Sequence, residues 1–158
     1  MKLAILSDTH NLLRPEVLAY LKTADAIVHG GDISSVRILQ QLEQIAGVYV
    51  VRGNNDKEWA EFLPHDLRFT LGGLRFFMVH KKAEIPKDLT DVDVVVYGHS
   101  HKYALEDRDG VLYLNPGSCG PRRFGQEITM AMLDSETKQV EKITIPHPEP
   151  KASPAKAV

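Results

Sequence analysis

Cysteine is almost missing from this chain: Cys119 stands alone. A single thiol excludes an intramolecular disulfide and suits a reducing compartment. With no evident sequence partner, it reads as a small turn residue rather than a nucleophile. Long hydrophobic runs are missing too. No apolar stretch approaches a membrane span, and Leu3 to Leu6, interrupted by Ser7-Asp8, is too short for the core of a signal peptide. These absences lead us to expect a cytoplasmic protein without membrane contact. Neither sign of charge is in excess: 19 Lys+Arg against 21 Asp+Glu leave a formal net charge of −2, so no basic field points to nucleic acid. Neither GxxxxGK[ST] nor GxGxxG occurs, which removes the P-loop and dinucleotide-binding fingerprints. Internal repeats and signs of a second domain are absent.

What is present is a soluble globular composition, 43% hydrophobic and 25% charged over 158 residues, enough for one domain with a real core. From Pro146 onward the chain carries four of its nine prolines and no large apolar residue before Val158. Residues 146–158 are therefore expected to form a disordered tail after a single domain spanning 1–145.

The apolar run Val92 to Tyr97 ends abruptly in Gly98-His99-Ser100-His101. Its β-branched residues predict a strand covered on both faces. In open α/β sheets, ligands gather beyond the carboxyl ends of such strands. Two imidazoles there are candidate nitrogen ligands for a metal, although a turn that merely contains two histidines would look the same. Other predicted strands end in a similar way. Lys2 to Leu6 runs into Ser7-Asp8-Thr9-His10, Asp25 to Val28 into His29-Gly30-Gly31-Asp32, Gly47 to Val51 into Arg52-Gly53-Asn54-Asn55-Asp56, and Leu74 to Val79 into His80.

Two helices are predicted between the first three strands. One has Pro15 in its first turn and runs to about Lys22; the other is capped by Ser34 or Ser35, with Val36, Leu39, Leu42 and Ile45 near helical spacing. That alternation predicts a parallel sheet with right-handed crossovers. Trp59 and Phe62 follow on a short helical turn and are expected in the core. The second half predicts antiparallel pairs: Leu67 to Leu71 with Leu74 to Val79 around Gly72-Gly73, Tyr103 to Glu106 with Val111 to Leu114, and Ile128 to Leu133 with Val140 to Ile145. An α/β fold of two mixed sheets packed face to face, with helices outside, would accommodate so many strands.

Taken singly, each strand-end group has an ordinary explanation. A lone Asp forms a turn or caps a helix, Asn54 suits a left-handed turn, and His80 can be a satisfied polar residue at a strand end. The joint set Asp8, His10, Asp32, Asn54, His80, His99 and His101 is what such explanations do not produce. The other three of the seven histidines, His29, His65 and His147, are assigned structural or solvent roles. Nitrogen and oxygen donors without thiolate suit Mn, Fe, Zn, Ni or Co rather than Ca. These ligands are too many for one ion with an open position, so two divalent transition metal ions sharing Asp32 is the economical arrangement. Such pairs lie about 3.5–4 Å apart and clamp the attacking and leaving oxygens of an in-line phosphoryl displacement. After the two carboxylates and a bridging hydroxide are counted, about one positive charge remains, which favours an anionic phosphate ester.

In this order, Asp8-x-His10, Gly31-Asp32, Gly53-Asn54-Asn55-Asp56, His80 and Gly98-His99-Ser100-His101 resemble the motifs of the calcineurin-like metallophosphoesterase superfamily. The short chain and its Asn115-Pro116-Gly117-Ser118 turn are similar to the small YfcE-type phosphodiesterase branch. The resemblance spans about Met1 to Ile145. It implies a four-layer α/β/β/α sandwich with a dinuclear centre. Asp8, His10, Asp32 and His101 would hold one ion, and Asp32, Asn54, His80 and His99 the other. A bridging hydroxide would attack a small phosphate diester.

Many members have His after the metal-binding Asn; this chain has Asn55. A carboxamide can donate a hydrogen bond to a phosphoryl oxygen but supplies no proton near neutral pH. Diesters and good leaving groups are therefore expected over monoesters. Lys81-Lys82 stand where much of the superfamily has Gly-His, and weaken any carry-over of a further histidine. Arg122 and Arg123 reach either a substrate phosphate or solvent. Two alternatives stand beside the diesterase: a phosphomonoesterase, and a non-catalytic scaffold like the superfamily's retromer subunit. Against the scaffold, every expected metal position carries a competent side chain. A homo-oligomer is compatible with all three.

Overall fold

The computed structural model describes residues 1–123 and 125–147; the expected tail beyond His147 lies outside the described residues. Strand β1 (Lys2–Leu6) illustrates how the sequence builds layers. Leu3 and Ile5 join one core cluster while Ala4 and Leu6 join another, and all four are fully buried. The period of two turns successive side chains to opposite faces, so an all-apolar strand needs cover on both.

Helices α1 (Pro15–Leu21) and α2 (Val36–Glu43) connect β1 to β2 (Ala26–His29) and β2 to β3 (Gly47–Val50), and the three strands pair in parallel. The helices bury Val17, Leu21, Ile38, Leu39 and Leu42 against Ala4, Leu6 and Ile27. A second set of strands follows: β4 (Asp66–Leu71), β5 (Leu74–Val79), β6 (Val94–Val96), β7 (Tyr103–Arg108) and β8 (Val111–Pro116), then β9 (Ile128–Asp134) and β10 (Val140–Ile145). The first sheet has the order β10-β9-β1-β2-β3, with β9 antiparallel to both β1 and β10. The second has the order β4-β5-β6-β8-β7, antiparallel at its edges and parallel through β5, β6 and β8.

The sheets meet across Leu3, Ile5, Val28, Phe76, Met78, Val94, Val96 and Leu114. Each such buried side chain contributes about 1.5–3 kcal/mol. On its outer face the second sheet is covered by irregular chain carrying one 3-10 turn, Lys82–Glu84, rather than by a long helix. There Ile85, Leu89 and Val92 pack on Phe77, Val79 and Val95.

Two expectations need correction. Phe62 is 65% exposed, while Trp59 is half-buried against the core and meets Phe62 edge-on. The 3-10 turn Glu58–Ala60 eclipses residues three apart, and the pair that it turns inward is Ala60 and Leu63. The β7–β8 hairpin is also tighter than expected. Pairing runs to Arg108–Val111, leaving a two-residue Asp109-Gly110 turn with both φ values positive, as a hairpin turn that matches the strand twist demands.

Candidate metal centre

Asp8 and His10 follow β1, Asp32 follows β2 and Asn54 follows β3; His80 follows β5, while His99 and His101 follow β6 of the facing sheet. These strand ends bring all seven candidates to one rim of the sandwich. Asp8, His10 and His101 form one group and Asp32, His80 and His99 another, each with ligand atoms within 4.8 Å of one another. Asp8 Oδ1 lies 3.6 Å from His10 Nε2 and 3.5 Å from His101 Nε2. Asp32 Oδ2 stands between the groups, 3.3 Å from His80 Nε2 and 3.6 Å from His10 Nε2. Asn54 Oδ1 is 3.1 Å from His99 Nδ1.

Asp8 Oδ1, His10 Nε2 and His80 Nε2 are buried without a hydrogen-bond partner. A buried polar atom left unpaired costs about 1–3 kcal/mol. Three such atoms beside a second carboxylate fit divalent cations as their missing partners. The other atoms of the same side chains are already engaged. Asp8 Oδ2 accepts hydrogen bonds from Ser7 Oγ (2.7 Å) and the His99 backbone N–H (3.1 Å). His80 Nδ1 donates to the Gly30 carbonyl at 2.7 Å, which leaves Nε2 as the ligand atom. Asn55 donates its backbone N–H to Asp32 Oδ1 (2.8 Å) and its side-chain Nδ2–H to Asp32 Oδ2 (3.1 Å).

The backbone is bent to this purpose. Asp8, His10, Asp32, His99 and His101 all have positive φ, between 46° and 76°. Each costs a non-glycine residue on the order of 1–2 kcal/mol, and such strain gathers at functional sites. Close approach does the rest. A Cβ on Gly53 would collide with the Asp32 carboxylate and backbone, and one on Gly98 with Ser7 Oγ and Asp8 Oδ2.

Further side chains hold the seven candidates in place. Buried Asp56 accepts four backbone N–H groups, those of Asp32, Ile33, Ser34 and Gly53, at 2.8–2.9 Å. It thereby ties the Asp32 loop to the Asn54 loop; an acid inside Gly53-Asn54-Asn55-Asp56 was the available signal. Asn115 Nδ2 donates to Gly98 O and Ser100 Oγ, and Ser118 Oγ donates to Asp8 O. His29, assigned a structural role, is fully buried and accepts the Gly31 N–H on Nδ1, so its Nε2–H donates to Thr9 Oγ1 at 3.1 Å. His65 sits on the surface beside Glu84. Arg122 donates to the Gln126 and Gly125 carbonyls, whereas Arg123 lines a small cavity with His99 and His101.

The electrostatics follow from burial and neighbours. Burial pushes the Asp8 carboxyl up, but the neighbouring His10, His101 and His80 imidazoles and the Ser7 hydroxyl outweigh it and hold the group well below the usual carboxylate range. The same opposition lowers Asp32, with His80 the chief stabiliser. Burial works against the His80 imidazolium, yet Asp32 and Asp8 raise it. His29 is held down at about 4 by burial, and the Cys119 thiol is pushed up to about 12 by burial, which makes it an inert core group.

Residues 1–138 match the calcineurin-like phosphoesterase superfamily domain, and the chain belongs to that superfamily. It is 29% identical to the phosphodiesterase MJ0936 of Methanocaldococcus jannaschii over 92% of this chain and 99% of that protein. The solved structure of YfcE, a phosphoesterase from E. coli, superposes with a TM-score of 0.68 at 26% identity, covering 92% of this chain and all of that one. Vps29 from Entamoeba histolytica shares the fold at a TM-score of 0.71 and 20% identity, covering 92% of this chain and 100% of its own. Among the described residues, no helix is long and apolar enough to cross a membrane.

Proposed function

We propose that the protein is a phosphodiesterase working with two divalent transition metal ions, Mn first among Mn, Ni, Fe, Zn and Co. The observation that carries this reading is Asp32 Oδ2, poised between His10 Nε2 and His80 Nε2, which together with Asp8 Oδ1 are buried without hydrogen bonds. Asp8, His10, Asp32 and His101 would hold one ion, and Asp32, Asn54, His80 and His99 the other. Bound there, the ions supply Lewis acidity toward phosphoryl oxygens and make a water acidic enough to serve near neutral pH.

The protein's own groups do the rest. His80 is fixed by its Nδ1–H on Gly30 O, so Nε2 keeps its aim. Asp8, held below the usual carboxylate range, is ionised near neutral pH. Asn55 Nδ2–H, beside the shared carboxylate, donates a hydrogen bond to a phosphoryl oxygen. It has no proton to give a leaving alkoxide, which favours diesters with good leaving groups. The related proteins named phosphodiesterase and phosphoesterase support the same assignment. Residues 1–145 are the working domain, since β10 ends at Ile145, and the single buried thiol suits the cytoplasm.

The test is hydrolysis by Mn-reconstituted protein of bis(4-nitrophenyl) phosphate beside 4-nitrophenyl phosphate. Faster turnover of the diester is expected, with Asp32→Ala and His99→Ala inactive yet folded by circular dichroism. Faster turnover of the monoester would make the protein a monoesterase. Metal binding with no turnover of either would leave the scaffold alternative, for which the shared fold of Vps29 is the relevant observation.

A further inference from the structure

Beside Asn54 and His80 lies a cavity of about 400 Å³, lined also by Arg52 and Lys81. Both cations are half-buried. Neither side chain has a hydrogen bond or ion pair among the described residues. Neighbouring cations differ in this respect. Lys57 Nζ donates to Asn54 O, and Lys82 meets Glu106. Four carboxylates also line the cavity: Glu58, Glu61 and Glu84 are exposed and add less to its field, and buried Asp56 is engaged by four backbone N–H groups. Two like charges held half out of water around one cavity lack a partner there, and an anion in the cavity supplies one to each. Arg52 brings a planar fork suited to carboxylate or phosphate, and Lys81 a point charge. On the His99 and His101 side, the cavity carrying Arg123 is only about 120 Å³.

We propose that Arg52 and Lys81 form a subsite for a second anionic group, carboxylate or phosphate, on the larger arm of the substrate. The diester then carries a further negative charge on one arm, while the smaller arm lies toward Arg123. This rests on the phosphodiester reading of the metal centre. Recognition is by charge and hydrogen bonding alone, with no bond made or broken at the subsite.

The test has a binding part and a turnover part. Calorimetry on the Mn-loaded protein compares propane-1,3-diphosphonate with propylphosphonate, in wild type, Arg52→Gln and Lys81→Met. The diphosphonate is expected to bind about tenfold tighter or more in wild type, as one added charge-assisted contact gives, with the ratio moving toward one in each variant. Turnover then compares 4-nitrophenyl diesters whose second arm is propyl, 3-carboxypropyl, 3-phosphonopropyl or choline. The leaving group is the same throughout, so kcat/KM reads the arm. Anionic arms are expected to lead, mostly through KM, and the carboxylate and phosphonate arms decide between the two anions. An affinity ratio near one in wild type, a ratio untouched by both variants, or a preference for choline overturns the subsite. Turnover without arm preference would sink the subsite and leave the diesterase standing. Arm-selective binding lost in the variants, without turnover of any diester, would do the reverse.

Discussion

The two halves of the metal centre use the same residue types on different footings. Around Asp8, the side chains of Asp8, His10 and His101 are 0%, 9% and 11% exposed. Around Asp32, His80 is buried but Asn54 and His99 open to solvent. The buried half rests on Ser7, Ser118 and, through Thr9, on His29. The open half rests on Asp56, which gathers both of its loops by their backbone N–H groups. On the proposed two-ion reading, one ion would be enclosed by protein ligands and the other would sit at the mouth of the cavity that carries Arg52 and Lys81.

The largest effect should come from the residue common to both halves. Asp32→Ala is expected to lower diesterase turnover by about a thousandfold or more and to release both ions, read by metal analysis after gel filtration. His99→Ala should instead keep one tightly held ion; loss of both would erase the distinction between the halves. Asp56→Ala comes next. Four backbone donors lose their acceptor, so a destabilisation of about 3 kcal/mol or more in urea titrations is expected. Metal affinity should weaken about 10–100-fold, the open position first.

His29 tests the footing of the buried half through pH. Its pKa is about 4 in the folded protein against 6.5 for the free side chain. Between these values the unfolded chain binds the proton and the folded one does not, so stability is complete above about pH 6.5 and falls as pH drops toward 4. The contribution lost is about 3 kcal/mol. In chelator, wild type should lose urea stability between pH 7.5 and 5 more steeply than His29→Gln; parallel curves would contradict it. The smallest effect is expected at Asn55. Asn55→His supplies a proton donor beside Asp32 and should raise the monoester-to-diester rate ratio, by about tenfold, within the range of a general acid. An unchanged ratio would show that leaving-group protonation does not set the preference.

Much of this architecture is legible in the sequence because the cues are local. All-apolar runs such as Val94–Val96 announce strands covered on both faces, and Pro15 marks where α1 begins. The candidate ligands stand out because each follows such a run at a turn. What escapes are features set by partners distant in the chain. Asp56 looks like one more turn residue, since its bonds reach back 22–24 residues to another loop. Phe62 misleads because a single 3-10 turn has too few residues to declare its inner face, which Ala60 and Leu63 take. That Arg52 and Lys81 line one cavity depends on β3 and β5 ending at the same rim, which no spacing encodes.

Gly98 lies where the two sheets touch, its missing side chain leaving room for Ser7 and Asp8. Each ligand group also draws from both sides of that seam: Asp8 and His10 with His101, and Asp32 with His80 and His99. A chain with only one sheet formed would own half of each grip and hold neither cation firmly. Metal uptake should therefore lag strand formation and coincide with docking of the sandwich. The cations would then act as clasps across the joint, and the rate of their capture during refolding would time its closure.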